Sequence, residues 1–294
     1  MMSLSKKIDF AVVFKVVNAN PNGDPLNGNR PRTIYEGNGE VSDVCVKRKI
    51  RNRLIETGQR IFVQSDDNRN DDHPSLKARA DEVLAGIKNP EEITRKACET
   101  WFDVRAFGQL FAFKASGGRK AKGEDSGEDK GVSIGIRGPV SVQSAFSIAP
   151  VSLTSTQITK SVSSEGDGTK RGSDTMGMKH RVDRGIYYFY GSMNPQLAVK
   201  TGFSDDDAAA IKAVLPKLFE NDASSARPEG SMEVLKVIWW EHASKSGQAS
   251  SAKVHRSLMV NDIEDLANIL SFEPGKGPDD AGENWPRPEI INGY

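Results

Sequence analysis

The densest chemical signal in this 294-residue sequence is Lys47-Arg48-Lys49-Ile50-Arg51-Asn52-Arg53, where five of seven consecutive residues are cations. Each can neutralise one phosphate, and the counterions released make such binding fall with salt. A solvated helix face accounts for the same run, and charge alone does not separate the two readings. Just upstream, Asn20, Asn22, Asn27, Asn29, Arg30 and Arg32 gather in a loop opened by Asn-Pro-Asn-Gly-Asp-Pro at 20–25. Their side chains and amides can line the same groove, or they can serve only to shape a turn. A second basic cluster runs Lys170-Arg171 and then Met176-Gly177-Met178-Lys179-His180-Arg181. Methionines beside cations suit an arm that wedges between bases while pairing phosphates; a disordered surface loop is the competing reading.

Signals of catalysis are weak. His73, His180, His242 and His255 show no metal-ligand spacing, and Cys45 and Cys98 are not paired with them, so neither metal nor cofactor is expected. No phosphate-binding P-loop and no dinucleotide-binding glycine pattern is present. Asp24 and Asp43 can in principle hold a metal for RNA cleavage, although a turn residue and a helix cap explain both. Arg105-Ala106-Phe107-Gly108-Gln109-Leu110-Phe111 brushes against the aromatic motif of RRM domains, with Ala and Gln where the motif requires other residues. Its phenylalanines are assigned to the core and Arg105 to a candidate RNA contact. Tyr187, Tyr188, Phe189 and Tyr190 can stack on bases, but alternating strand positions put at least half of them in the core, as are Trp239 and Trp240.

These residues need elements to position them. Ile8, Phe10, Val12, Phe14 and Val16 alternate with Val13 and Val17, which predicts a strand over 8–17 covered on both sides. Val46, Ile50 and Leu54 recur every four residues and predict a helix from Val44 to Thr57, capped by Ser42 or Asp43, with Lys47 and Arg51 on a neighbouring stripe. Two more helices are predicted over 74–102, a long mobile loop over 114–131, strands over 132–148 and a second polar insertion over 160–184. A strand follows at 186–190, a helix opens at Ser204, another strand covers 232–241, and 273–294 reads as an extended tail. The order is an α+β pattern, the split β-α-β arrangement of ferredoxin-like and RRM folds. It spans 1–294 as one domain with insertions at 60–131 and 160–185.

The 40 basic and 40 acidic residues cancel, so the chain is not a generic polycation and any nucleic-acid surface must come from uneven placement of charge. Two cysteines are too few for a disulfide framework and fit a reducing interior. With no signal-peptide run and no apolar stretch of bilayer length, a cytoplasmic protein away from membranes is expected.

The 20–25 loop, Asn29-Arg30-Pro31-Arg32 and the run from Val41 to Arg51 resemble the large backbone subunit of type I CRISPR Cascade complexes, closest to the type I-C branch. The likeness continues, in order, through Asp103-Val104-Arg105-Ala106-Phe107-Gly108, Ile136-Arg137-Gly138-Pro139-Val140 and His180 to Tyr187, about the first two-thirds of the chain. The resemblance implies an RRM-like palm, a helical finger region and a β-hairpin thumb. It implies subunits that stack as a filament along CRISPR guide RNA, each thumb forcing out a nucleotide of a neighbour's segment, and a guide presented to a target DNA strand in antiviral defence. A guide-capping subunit and a large subunit would be further partners. It places palm contacts on Ser42, Lys47 and Arg51 and the thumb around Met176 and Met178; Val44 stands where a related branch carries a glutamine. The candidate RNA contacts are thus Asn20, Asn22, Arg30, Arg32, Ser42, Lys47, Arg48, Arg51, Arg105, Arg137, Met176, Met178, Lys179, His180 and Arg181. The function expected is non-catalytic, with metal-dependent target-RNA cleavage by a loop aspartate as the alternative.

Overall fold

The computed structural model describes residues 3–113, 132–159, 176–261 and 267–294. The loop expected at 114–131 and the stretch 160–175 of the second insertion lie outside them.

The alternation that opens the chain becomes strand β1 (Ile8–Ala19), buried on both faces and central as its pattern requires. It pairs antiparallel with β10 (Met176–Met193) on one side and β11 (Met232–Glu241) on the other. Beyond β11 lies β14 (Pro288–Asn292); beyond β10 lie β8 (Ala145–Pro150) and β4 (Asn38–Val41). β7 (Val140–Val142) and β9 (Leu153–Thr159) pair with opposite ends of β10. Helix α1 (Asp43–Glu56) falls in the connection from β1 to β8, and α5 (Pro195–Thr201) and α6 (Asp205–Val214) in that from β10 to β11.

One face of the sheet carries Phe10, Val12, Phe14, Tyr187, Phe189 and Trp239, which pack with Val46, Ile50 and Leu54 of α1 and Ile211 and Val214 of α6. Phe10 stacks on Trp239 at 5.7 Å and Phe14 on Tyr187 at 5.4 Å. The other face carries Ala11, Val13, Ile186, Ile238 and Trp240 under α7 (Ser251–Arg256) and the hairpin of β12 (Leu258–Val260) and β13 (Leu270–Phe272). Asp9, fully buried beneath this cover, accepts 2.9 Å from His242 Nε2, while His242 Nδ1 accepts from the Gln248 amide, which fixes the tautomer.

Residues 60–113 and 132–137 build a core of their own. α2 (Leu76–Leu84), α3 (Pro90–Thr100) and α4 (Phe102–Phe107) pack against a hairpin of β5 (Gly108–Phe113) and β6 (Val132–Arg137) around Phe62, Trp101, Phe111 and Ile134. Phe62 sits 4.8 Å from Trp101 and 5.2 Å from Phe111, centroid to centroid.

Two expectations change and a third is met. The strand that periodicity predicts at 186–190 begins ten residues earlier, at Met176, so the part of the polar insertion after 175 is strand. The expected tail contributes β14, an edge strand paired with β11. Of the four consecutive aromatics, Tyr187 and Phe189 are core, and Tyr190 stacks on His255 at 4.4 Å, so that ring is taken. Among the described residues no helix is long and apolar enough to cross a membrane.

Candidate nucleic-acid interface

The last residue of β1, Ala19, pairs with Val182 of β10, so the loop after β1 leaves the sheet where the first half of β10 projects beyond it with β9. That end of the sheet therefore gathers the 20–42 loop, the start of α1 and a two-stranded arm.

Side chains shape the loop. Buried Asn20 donates from Nδ2 to the Asn29 carbonyl at 2.7 Å. Asn22 Oδ1 accepts from both the Ser42 amide and the Ser42 hydroxyl at 2.9 Å. The Asp24 carboxylate accepts from the Leu26 amide, and Arg32 approaches it at 3.5 Å. Two short strands, β2 (Gly23–Asp24) and β3 (Arg30–Pro31), close around Gly28 and Asn29, whose φ values of 59° and 58° need residues tolerant of the left-handed region. Ser42 then caps α1, accepting from the Cys45 amide. Asn20, Asn22 and Ser42 are thus structural members of the loop, whatever else they touch. The Arg30 side chain is exposed and has no ion-pair partner among the described residues.

The cationic run does not form one face. A helix turns about 100° per residue, so seven consecutive residues circle it almost twice. Arg48 is the most exposed of the five, with only a 3.6 Å approach to Asp67. Lys47, partly exposed, donates to Asp43 at 2.9 Å. The other three turn inward. Arg51 binds Asp103 at 2.8 Å and lies over the Phe107 ring. Lys49 binds Asp222, and burial pushes its ammonium below the usual lysine range. Arg53 binds Glu56 at 2.6 Å. Arg51, a candidate RNA contact on the stripe beside the core-facing one, is held inward: Asp103, itself 1% exposed, also accepts from the Phe62 and Val63 amides and uses Arg51 to tie α1 to the core around Phe62 and Trp101.

Arg105, also a candidate RNA contact, is paired within the fold. It forms a two-point pair with Asp207 at 3.0 and 2.7 Å, and Asp207 also completes the capping box of α6 with Ser204. This lies beside Leu4, ahead of β1, at the opposite end of the sheet. Arg137, exposed at the end of β6, is near that end as well, since Pro139 accepts from the Asn194 amide just past β10.

The arm has two chemically distinct faces. Cross-strand partners share a face, and the register pairs Met176 with Thr159, Met178 with Gln157 and His180 with Ser155 on one side. Gly177 with Ile158, Lys179 with Thr156 and Arg181 with Thr154 occupy the other. Met176 and Met178 are 61% and 55% exposed. His180 Nδ1 lies 2.8 Å from Ser155 Oγ, and Arg181 only approaches Asp183, at 3.6 Å. Because β10 runs on unbroken into the central sheet, the arm is braced rather than hinged at its root.

Asp24 and Asp43 are both engaged, by the Leu26 amide and by Lys47, and among the described residues no three metal-ligating side chains converge. Gly131-Val132-Ser133-Ile134-Gly135 has the spacing of a nucleophile elbow, but Ser133 lies within β6 opposite Ala112 and not on a strand-to-helix turn. Sequence reasoning passed over Tyr35, whose ring stands wholly clear of the surface on a turn of the same loop. The signal available was an aromatic two residues ahead of Gly37-Asn38, between Arg32 and that turn.

The family profile of the CRISPR-associated protein Cas7 matches residues 6–274, from just before β1 through β13. A CRISPR-associated protein Cas7 of Haloferax volcanii is 26% identical over 250 residues, which cover 80% of this chain and 71% of that protein. Among solved structures, a chain of a CRISPR RNA-guided surveillance complex in a pre-nicking state aligns at a TM-score of 0.47 and 18% identity, over 87% of this chain and 82% of that one. A chain of another CRISPR RNA-guided surveillance complex aligns at 0.44 and 16%, over 89% and 78%. With a family match that runs over nearly all of the sheet, the core around Phe62 and Trp101 and the arm, the chain belongs to the CRISPR-associated protein Cas7 family.

Proposed function

We propose that this chain is a non-catalytic backbone subunit of a type I CRISPR surveillance complex, of the I-C branch, that binds guide RNA and stacks with copies of itself along it. The observation that carries the reading is the convergence at one sheet end of Arg30, Lys47 and Arg48 with a braced arm bearing methionines on one face and cations on the other. Cations track phosphates without reading bases, and apolar side chains unstack neighbouring bases. That combination recognises a backbone and its shape, which suits guides of variable sequence.

The sheet is the palm. Its order β11-β1-β10-β8, with α1 and α6 in the two crossovers, supports an RRM-like reading. The separate core around Phe62 and Trp101 is the finger and the β9–β10 arm is the thumb. A target DNA strand, a guide-capping subunit and a large subunit complete the partners. The engagement of Asp24 and Asp43 in local bonds supports a scaffold over a nuclease.

The test is to load purified protein onto single-stranded CRISPR-type RNA, size the product, and probe the RNA chemically with Mg²⁺ present and with complementary RNA added. The expected result is a long salt-sensitive assembly with reactive nucleotides at a regular interval and no cleavage. Regular cuts would establish the loop-aspartate nuclease instead, and a persistent one-to-one complex would refute the filament.

A further inference from the structure

We propose that Tyr35 is a stacking platform for one nucleobase of the bound single strand, at the junction between the 20–42 loop and the root of the arm. The inference rests on the RNA-binding reading above and adds a subsite to it.

Among the described residues two rings stand mostly outside the surface, Tyr35 at 102% and Tyr294 at 80%. Tyr294 already has the Lys217 ammonium 4.4 Å from its centroid. Among the described residues Tyr35 touches no ring and no cation. One exposed aromatic is unremarkable by itself; its mount is what distinguishes this one. The turn beneath it is closed by Ile34 N to Asn38 O at 2.9 Å and Gly37 N to Ile34 O at 3.0 Å, with Gly37 at φ 87°. A bridge joins Thr33 to Gly39, and Glu40 N donates to Arg32 O.

The turn is also fastened to the sheet. Asn38 Nδ2 donates to the Ser147 carbonyl at 2.8 Å, and Val151 N donates to the Gly37 carbonyl at 3.1 Å. Val151 lies two residues before β9, so the ring is held at the foot of the arm. Gly39 leaves no room for adjustment there, since a Cβ at that position would meet Tyr187 Oη at 2.0 Å. A ring whose backbone is this constrained loses little entropy on binding. Arg30 and Arg32 stand on the same excursion and supply cations for the adjoining phosphates.

Every base offers a π-face, so a tyrosine here holds a base without selecting its identity. That fits a guide of any sequence, and it complements methionines that separate bases: the arm opens a step and the ring receives a base beside it.

The test places 2-aminopurine at successive positions of a single-stranded RNA and follows its quenching as the protein assembles. Tyr35→Ala should abolish the quench at one position per repeat. It should weaken affinity per subunit on the order of ten-fold, within the roughly 5- to 150-fold span of one lost base–aromatic stack. Tyr35→Phe should retain both, Tyr35→Leu neither, and the salt slope should stay unchanged throughout, because no phosphate contact is lost. Wild-type quenching and affinity in Tyr35→Ala, or rescue by Tyr35→Leu, would overturn the subsite. Loss of self-association with the quench intact would overturn it in favour of docking on a neighbouring copy. If the wild-type protein shows no salt-dependent RNA binding, the functional reading fails and takes the subsite with it.

Discussion

Arg51→Ala and Lys47→Ala occupy one helix, four residues apart, and should behave oppositely. Arg51 donates to a carboxylate that is 1% exposed and that also receives two backbone amides, at 2.7 and 3.0 Å. Removing one member of a buried pair costs about 3–5 kcal/mol, because the other charge stays behind unpaired. For Arg51→Ala the low end applies, about 3 kcal/mol, since Phe62 and Val63 still solvate Asp103. For Asp103→Ala the guanidinium and both amides are stranded, and each orphaned amide adds about 1 kcal/mol, giving about 5–6 kcal/mol. The double variant should fall short of the sum by about 2 kcal/mol, because no lone charge remains. Lys47 pairs with Asp43 near the surface and should cost about 0.3–0.5 kcal/mol. Urea denaturation followed by fluorescence measures these losses. RNA binding across salt concentrations supplies the second readout: Lys47→Ala and Arg48→Ala should each reduce the slope by about 0.7. If Arg51→Ala unfolds within about 0.5 kcal/mol of wild type and instead lowers the salt slope by a full contact, the assignment of Arg51 to the fold is wrong.

The two faces of the arm should separate in the same way. Lys179→Ala with Arg181→Ala should lower the salt slope by about 1.4 in all and leave periodic nucleotide reactivity in place, whereas Met176→Ser with Met178→Ser should keep the slope and erase the periodicity; identical effects from the two pairs would sink the facial division. Burial raises the Asp9 carboxyl, but the His242 hydrogen bond, together with His255 at 3.4 Å, Ser251 and the Lys7 charge beside it, outweighs burial and holds the group well below the usual carboxylate range. A carboxyl held low stabilises the folded state above its unfolded value of about 4, and that stability drains as pH falls toward the folded value. Asp9→Asn should therefore lose stability at neutral pH and show a flatter decline below about pH 4, read from urea midpoints; an unchanged acid limb would contradict it. Asp222→Ala should cost about 3–5 kcal/mol by stranding buried Lys49, and Lys49→Met in that background should recover part of it, as melting temperatures would report.

What the sequence revealed follows the strength of periodic burial. β1 was legible because its two faces are each covered by separate clusters, so both sets of alternate positions are apolar. Helix α1 was legible from Val46, Ile50, Leu54 and the Ser42 cap. The first half of β10 was not, because an arm exposed on both faces has no apolar alternation to read. β14 escaped for a related reason, as an edge strand beginning at a proline. The inward cations were hidden by sequence distance: Asp103 is 52 residues from Arg51, and Asp222 is 173 from Lys49. Helical periodicity alone could have warned that seven consecutive positions never share a face.

On the proposed RNA-binding role, that hidden pairing also explains how a chain with 40 cations and 40 acids can serve a polyanion. Net charge is a property seen from afar, whereas exposed charges beyond about 8 Å are screened at physiological ionic strength. A strand lying across the sheet end responds to the few charges within that reach. Asp103, Asp207 and Asp222 each neutralise a cation deep in the subunit, at Arg51, Arg105 and Lys49. They cancel charge in the sum without cancelling it at the surface where Arg30, Arg48, Lys179 and Arg181 stand. Removing an inward pair would thus alter net charge by zero and leave RNA affinity to depend on folding alone, while moving a single acid onto the loop or the cationic face of the arm would change binding with no change in the fold.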